Sequence, residues 1–145
     1  MLVLSWTFKS TSVDYWEVKY NDSRLLFAHT SLEDSIITLD CRNFKDNDSI
    51  KYIYHPCYND DHMNYLTKLY AVTPQNIKFL LAEQKSNGYW FGDFPVMILQ
   101  KISDSCKCDI LIFEQNVTSS WINEKGRKKS DKAQSWRMFK IKLTK

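Results

Sequence analysis

The chain has three glycines in 145 residues: Gly88, Gly92 and Gly126. Dinucleotide-binding folds and P-loops need several closely spaced glycines so that backbone amides can approach phosphate. Neither can be built here. The H-E-x-x-H, G-x-S-x-G and protein-kinase motifs are absent as well. No apolar run approaches the roughly twenty residues a membrane helix needs. The opening stretch, Met1 to Lys9, is apolar but lacks a basic leader and breaks at Ser5 and Lys9, unlike a secretory signal. The expectation is a cytoplasmic chain, in which the sequons at Asn21, Asn47 and Asn116 are chance matches.

Cysteine is sparse, at positions 41, 57, 106 and 108. In a reducing compartment these read as free thiols. Cys106-Lys107-Cys108 is too tightly spaced for a zinc arm, and no second arm matches it. His55, Cys57 and His62 are close in sequence, yet buried strand thiols beside surface histidines explain them more simply. No metal and no cofactor are expected.

What is present is a packed, aromatic-rich composition, 43% hydrophobic and 14% aromatic, which fits one globular domain over residues 1–145. Charge is unevenly distributed. Residues 125–145 hold nine basic groups and one acid, a balance of +8, whereas residues 1–124 carry −5. Such asymmetry concerns partners more than fold.

Alternation with a period of two predicts strands at Leu2–Phe8, Tyr15–Tyr20, Arg24–His29, Ile36–Cys41 and Ile50–His55. Asn21-Asp22 predicts the tight reversal after the second of these. The middle reads as helical. Asn59 would cap a first helix carrying Asp60 and Asp61 in its first turn, with Met63, Leu66, Leu69 and Tyr70 as its apolar stripe. Thr73-Pro74 would start a second, burying Ile77, Leu80 and Leu81 and stopping at Gly88. Strands are expected again at Tyr89–Phe91, Val96–Ile102, Asp109–Glu114 and Trp136–Leu143, with Ser119–Ser135 a polar loop anchored by Trp121. The fold class is therefore α+β: an antiparallel sheet or small β-sandwich of about eight strands, with two short helices near residues 60–86.

His55, Asp60, Asp61 and His62 lie close enough to suggest acid–base chemistry. Helix capping accounts for the aspartates, so the chain is not expected to be an enzyme. Two binding modes stand out instead. In one, Arg127, Lys128, Lys129, Arg137 and Lys140 contact phosphates of single-stranded nucleic acid while Trp121 and Trp136 stack on bases. In the other, Asp46, Asp48, Asp60 and Asp61 form an acidic surface beside exposed Tyr52, Tyr54 and Tyr58, attracting a basic protein.

A strand-rich chain with a helical middle and no catalytic signature resembles the immunity proteins of bacterial contact-dependent growth inhibition and related polymorphic-toxin systems. The likeness spans the whole chain in general character and transfers no residue, and the basic C-terminal segment departs from it. It implies a protein that binds a cognate toxin, often a nuclease, and occludes its active site. That is the first functional expectation, with single-stranded nucleic-acid binding as the alternative.

Overall fold

In the computed structural model, the described residues are 15–28, 34–55, 63–86, 90–122, 125 and 128–145. The expected first strand and the segment with Cys57, Tyr58, Asn59, Asp60, Asp61 and His62 lie outside them, as do Gly88 and Arg127.

The described residues are mostly β. A four-stranded antiparallel sheet has the order β2 (Ser23–Ala28), β1 (Tyr15–Tyr20), β4 (Ser49–His55), β7 (Trp90–Pro95). A five-stranded sheet has the order β3 (Ile36–Asp40), β9 (Lys128–Thr144), β8 (Ile110–Ile122), β5 (Met63–Val72), β6 (Lys78–Ser86). Among the described residues only the β3–β9 pairing is parallel. One α-helix is described, α1 (Met97–Cys106), together with a short 3-10 turn at Cys41–Asn43.

The sheets face each other across one apolar cluster. Trp16, Val18, Ile50, Tyr52, Tyr54 and Phe94 come from the four-stranded sheet, and Leu69, Ala71, Leu111, Phe113, Phe139 and Ile141 from the five-stranded one. Phe113 sits at the centre, its ring 6.0 Å from Phe94 and 4.8 Å from Phe139. Gln115, fully buried, ties the sheets together by accepting hydrogen bonds from Trp16 Nε1 at 2.8 Å and from the Tyr52 hydroxyl.

The strands β1 to β4 follow the expected alternation. Asn21 takes a left-handed φ of 52° at the β1–β2 turn, and its amide donates to Ser49 O at 2.8 Å. The two helices expected near residues 60–86 are not formed. Met63–Val72 and Lys78–Ser86 are antiparallel strands instead, because β5 pairs with both β6 and β8 while Thr67, Leu69 and Ala71 bury its inner face. Thr73-Pro74 is a hairpin turn and not a helix start. Asn76 N donates to Thr73 O at 2.8 Å, Pro74 supplies the second turn position, and Asn76 closes it at φ 65°.

The expected strand at Val96–Ile102 is α1. Val96, Leu99, Ile102 and Ser103 are buried at helical spacing, a pattern hidden within the run Val96-Met97-Ile98-Leu99. Nor is Ser119–Ser135 a loop throughout. β8 and β9 pair from Ile110↔Lys142 to Ile122↔Lys128, because serine and threonine are tolerated on the wet faces of a ribbon. The expected free thiols also need correction: Cys106 and Cys108 are joined by a disulfide, while Cys41 is a buried free thiol.

Candidate nucleic-acid interface

Each strand of the five-stranded sheet turns one set of side chains inward and the other to solvent. Along β9, Phe139, Ile141 and Leu143 are buried, which leaves Lys140 and Lys142 on the outer face. The register shifts between Phe113 and Glu114, where β9 carries one extra residue, Met138. This bulge sets Arg137 opposite Glu114 on the outer face and Trp136 opposite Gln115 on the inner one.

The pairings continue across the sheet in rows. Lys140 lies beside Ile112, then Val72, then Lys78. Arg137 lies beside Glu114, then Tyr70, then Leu80. Further along, Lys68 pairs with Glu83 and Leu66 with Lys85. Lys68, Lys78, Lys85, Arg137, Lys140 and Lys142 therefore share a face with the carboxylates of Glu83, Glu114 and Asp40. Each is matched: Lys78 Nζ is 2.5 Å from Glu114 Oε1, Lys68 Nζ is 3.3 Å from Glu83 Oε2, and Arg42 Nη2 is 2.7 Å from Asp40 Oδ2. Lys85, Arg137, Lys140 and Lys142 bring four more cations. Tyr70 sits half-buried among them, with the Lys78 ammonium 5.9 Å from its ring centre. Apolar side chains flank the patch, including Ile36 and Leu80, both about half exposed.

Of the residues expected to contact nucleic acid, Arg137 and Lys140 meet on this face. Trp136 does not: it points inward and packs against the core. Trp121, Lys128 and Lys129 lie on the β8–β9 ribbon. Lys68, Tyr70, Lys78 and Lys85 were not anticipated, because their segments read as helices or their connection. The signal was the alternation Thr67-Lys68-Leu69-Tyr70-Ala71, in which Lys68 and Tyr70 are set apart from the buried Thr67, Leu69 and Ala71.

The expected acidic surface fares differently. Tyr52 and Tyr54 are core residues, 0% and 7% exposed, and so are not surface anchors. Full burial pushes the Tyr52 hydroxyl well above its usual range. Asp46 is exposed in its turn. Asp48 organises the loop by accepting from Tyr20 Oη at 2.5 Å, Asn21 Nδ2 at 3.0 Å and Lys45 N at 2.9 Å. The Tyr20 hydrogen bond, with those from Asn21 and Lys45, holds the Asp48 carboxyl below the ordinary range. Burial, reinforced by Asp48, pushes Tyr20 up to about 12. Of the candidate metal and acid–base groups, His55 is described, stacked 4.0 Å from Tyr15 on the outer face of the four-stranded sheet. Among the described residues no group of three or more His, Cys, Asp or Glu could hold a metal ion, and no helix is long and apolar enough to cross a membrane.

Compared with known proteins, the chain matches no family model and no curated relative.

Proposed function

We propose that this protein binds single-stranded nucleic acid on the outer face of its five-stranded sheet, in the cytoplasm and without chemistry of its own. One observation carries the reading: strand register gathers six cations and Tyr70 on a single face where Glu83, Glu114 and Asp40 are each paired with a cation. Phosphates would lie against Lys85, Arg137, Lys140 and Lys142. Tyr70 and the neighbouring apolar side chains would meet the bases, an arrangement tolerant of sequence. The toxin-inhibitor reading draws less support, since Tyr52 and Tyr54 are buried and Asp48 is engaged in its own loop.

Fluorescence anisotropy with labelled single-stranded oligonucleotides, repeated over a range of salt, tests the proposal. Binding should weaken linearly on a log–log plot, with a slope of about −0.7 per phosphate contacted. Absence of binding, or affinity indifferent to salt, overturns it. Pull-down of one stoichiometric protein that survives nuclease treatment would overturn it in favour of an inhibitor.

A further inference from the structure

We infer that Cys106 and Cys108 form a reversible thiol–disulfide exchange site, with Cys106 as the attacking thiol, Cys108 as the resolving one and small disulfides of the glutathione class as substrate. The argument rests on how the turn is held. α1 ends at Cys106, and Lys107 reverses the chain with a left-handed φ of 52°. Ser103, fully buried, grips Cys108 twice. Its carbonyl accepts from Cys108 N at 3.1 Å, and its hydroxyl donates to Cys108 O at 2.6 Å. These backbone contacts set the 5.2 Å Cα–Cα separation of the two cysteines without help from the sulfurs. Opening the bridge therefore leaves the turn in place, and a loop of three residues constrains the unfolded chain only slightly. The bridge is poorly placed to be a stability staple and well placed to cycle.

Exposure divides the roles. Cys106 is only half-buried, whereas Cys108 is 8% exposed and held beneath it. Ser103 O lies 3.6 Å from Cys106 Sγ, an acceptor for its S–H once the bridge opens. In the oxidising direction the Cys106 thiolate attacks one sulfur of the small disulfide and expels a thiolate, which takes up a proton. The Cys108 thiolate then attacks Cys106 Sγ in the mixed disulfide, forms the intramolecular bond and releases the second thiol. Two cysteine sulfurs lose two electrons, and the small disulfide gains them as two thiols. Excess small thiol drives the reverse. Cys41 serves as an internal control, because it is buried and its thiol is pushed up by that burial.

The test uses the purified wild-type chain in mixtures of reduced and oxidised glutathione, followed by alkylation of free thiols and peptide mass spectrometry. Cys106 and Cys108 should interconvert together between alkylated and bridged forms while Cys41 stays unchanged. In parallel, Cys108→Ser should trap a glutathione adduct on Cys106, whereas Cys106→Ser should leave Cys108 at least tenfold slower to react. The wild-type titration stands even if a variant folds poorly. Three results would each overturn the inference: a pair that stays reduced in excess glutathione disulfide, equal adduct formation at the two sites, or reduction that lowers Tm by much more than about 4 °C, which would mark a structural bridge.

Discussion

The outer faces of the two sheets are built on the same pleat but treat charge in opposite ways. On the four-stranded sheet, Glu17 is buried and receives Arg24 Nε at 2.9 Å and Lys19 Nζ at 3.6 Å. Lys51 reaches Asp22 at 3.3 Å and stands opposite Asp93 in register. Its aromatic side chains engage one another: the Tyr15 ring lies 5.3 Å from Phe27, and Arg24 sits 5.1 Å over the Phe27 ring. That face satisfies itself. On the five-stranded sheet Lys68, Lys78 and Arg42 match Glu83, Glu114 and Asp40, and Lys85, Lys140 and Lys142 add further positive charge to the face. Self-compensated charge is a folding feature, whereas excess charge of one sign on a flat face suits a partner.

The largest expected effect comes from the floor that both faces share. Phe113→Ala should cost about 3–5 kcal/mol in urea unfolding, because a fully buried ring is lost from the centre of the core. If the cost were below 1 kcal/mol, the two sheets would not be packing on it. Next comes charge. Lys140→Glu with Lys142→Glu should weaken oligonucleotide binding by roughly ten- to a hundredfold and flatten its salt slope, while Lys19→Glu with Lys51→Glu should leave affinity unchanged. Equal losses from both pairs would erase the distinction between the faces.

Tyr70→Ala should reduce oligonucleotide affinity by about 1–3 kcal/mol if a base stacks there, and Phe27→Ala should not reduce it. The two changes can be compared in one anisotropy series.

A smaller effect should appear on acidification, and it belongs to the four-stranded sheet. Burial holds His55 below its ordinary value, against the pull of the Glu17 charge. Burial alone would raise Glu17, but the Arg24 hydrogen bond and the charges of Arg24 and Lys19 keep it below the carboxylate norm of 4.5. Both groups bind protons more readily when unfolded, so each contributes stability at neutral pH that is lost on acidification. The His55 part should fade as pH falls below about 6.5 and the Glu17 part below about 4.5. Thermal melts of His55→Gln and Glu17→Gln across pH 7 to 3 should each flatten one of these steps. A stability profile unchanged by both variants would remove these two groups as its source.

Much of the first half was legible because its strands are half-wet. Trp16 and Val18 alternate with Glu17 and Lys19, and burial on one side only writes that period into the chain. The same holds for Lys140 and Lys142 between Phe139, Ile141 and Leu143, which is why the outward orientation of the two lysines was legible. The middle misled for the opposite reason. Leu66, Leu69 and Tyr70 satisfy a helical stripe as well as a strand, and ten residues are too few for periodicity to choose. Val96 to Leu99 was ambiguous in the other direction, reading as a covered strand while forming the first turn of α1.

By itself, the sequence determined the β1–β4 strands, the Asn21 turn, the concentration of positive charge toward residue 145 and the exclusion of glycine-rich phosphate loops. These are local properties of residue type and spacing. Tertiary structure alone decided that residues 63–86 form a hairpin, because pairing with β8 rewards Thr67, Leu69 and Ala71 in a way no isolated segment could. It also decided, through the bulge at Met138, that Arg137 faces outward and Trp136 inward. Bringing Lys68, Tyr70 and Lys78 beside Arg137 and Lys140 needed strands about seventy residues apart to pair in one register, and register is a property of the assembled sheet.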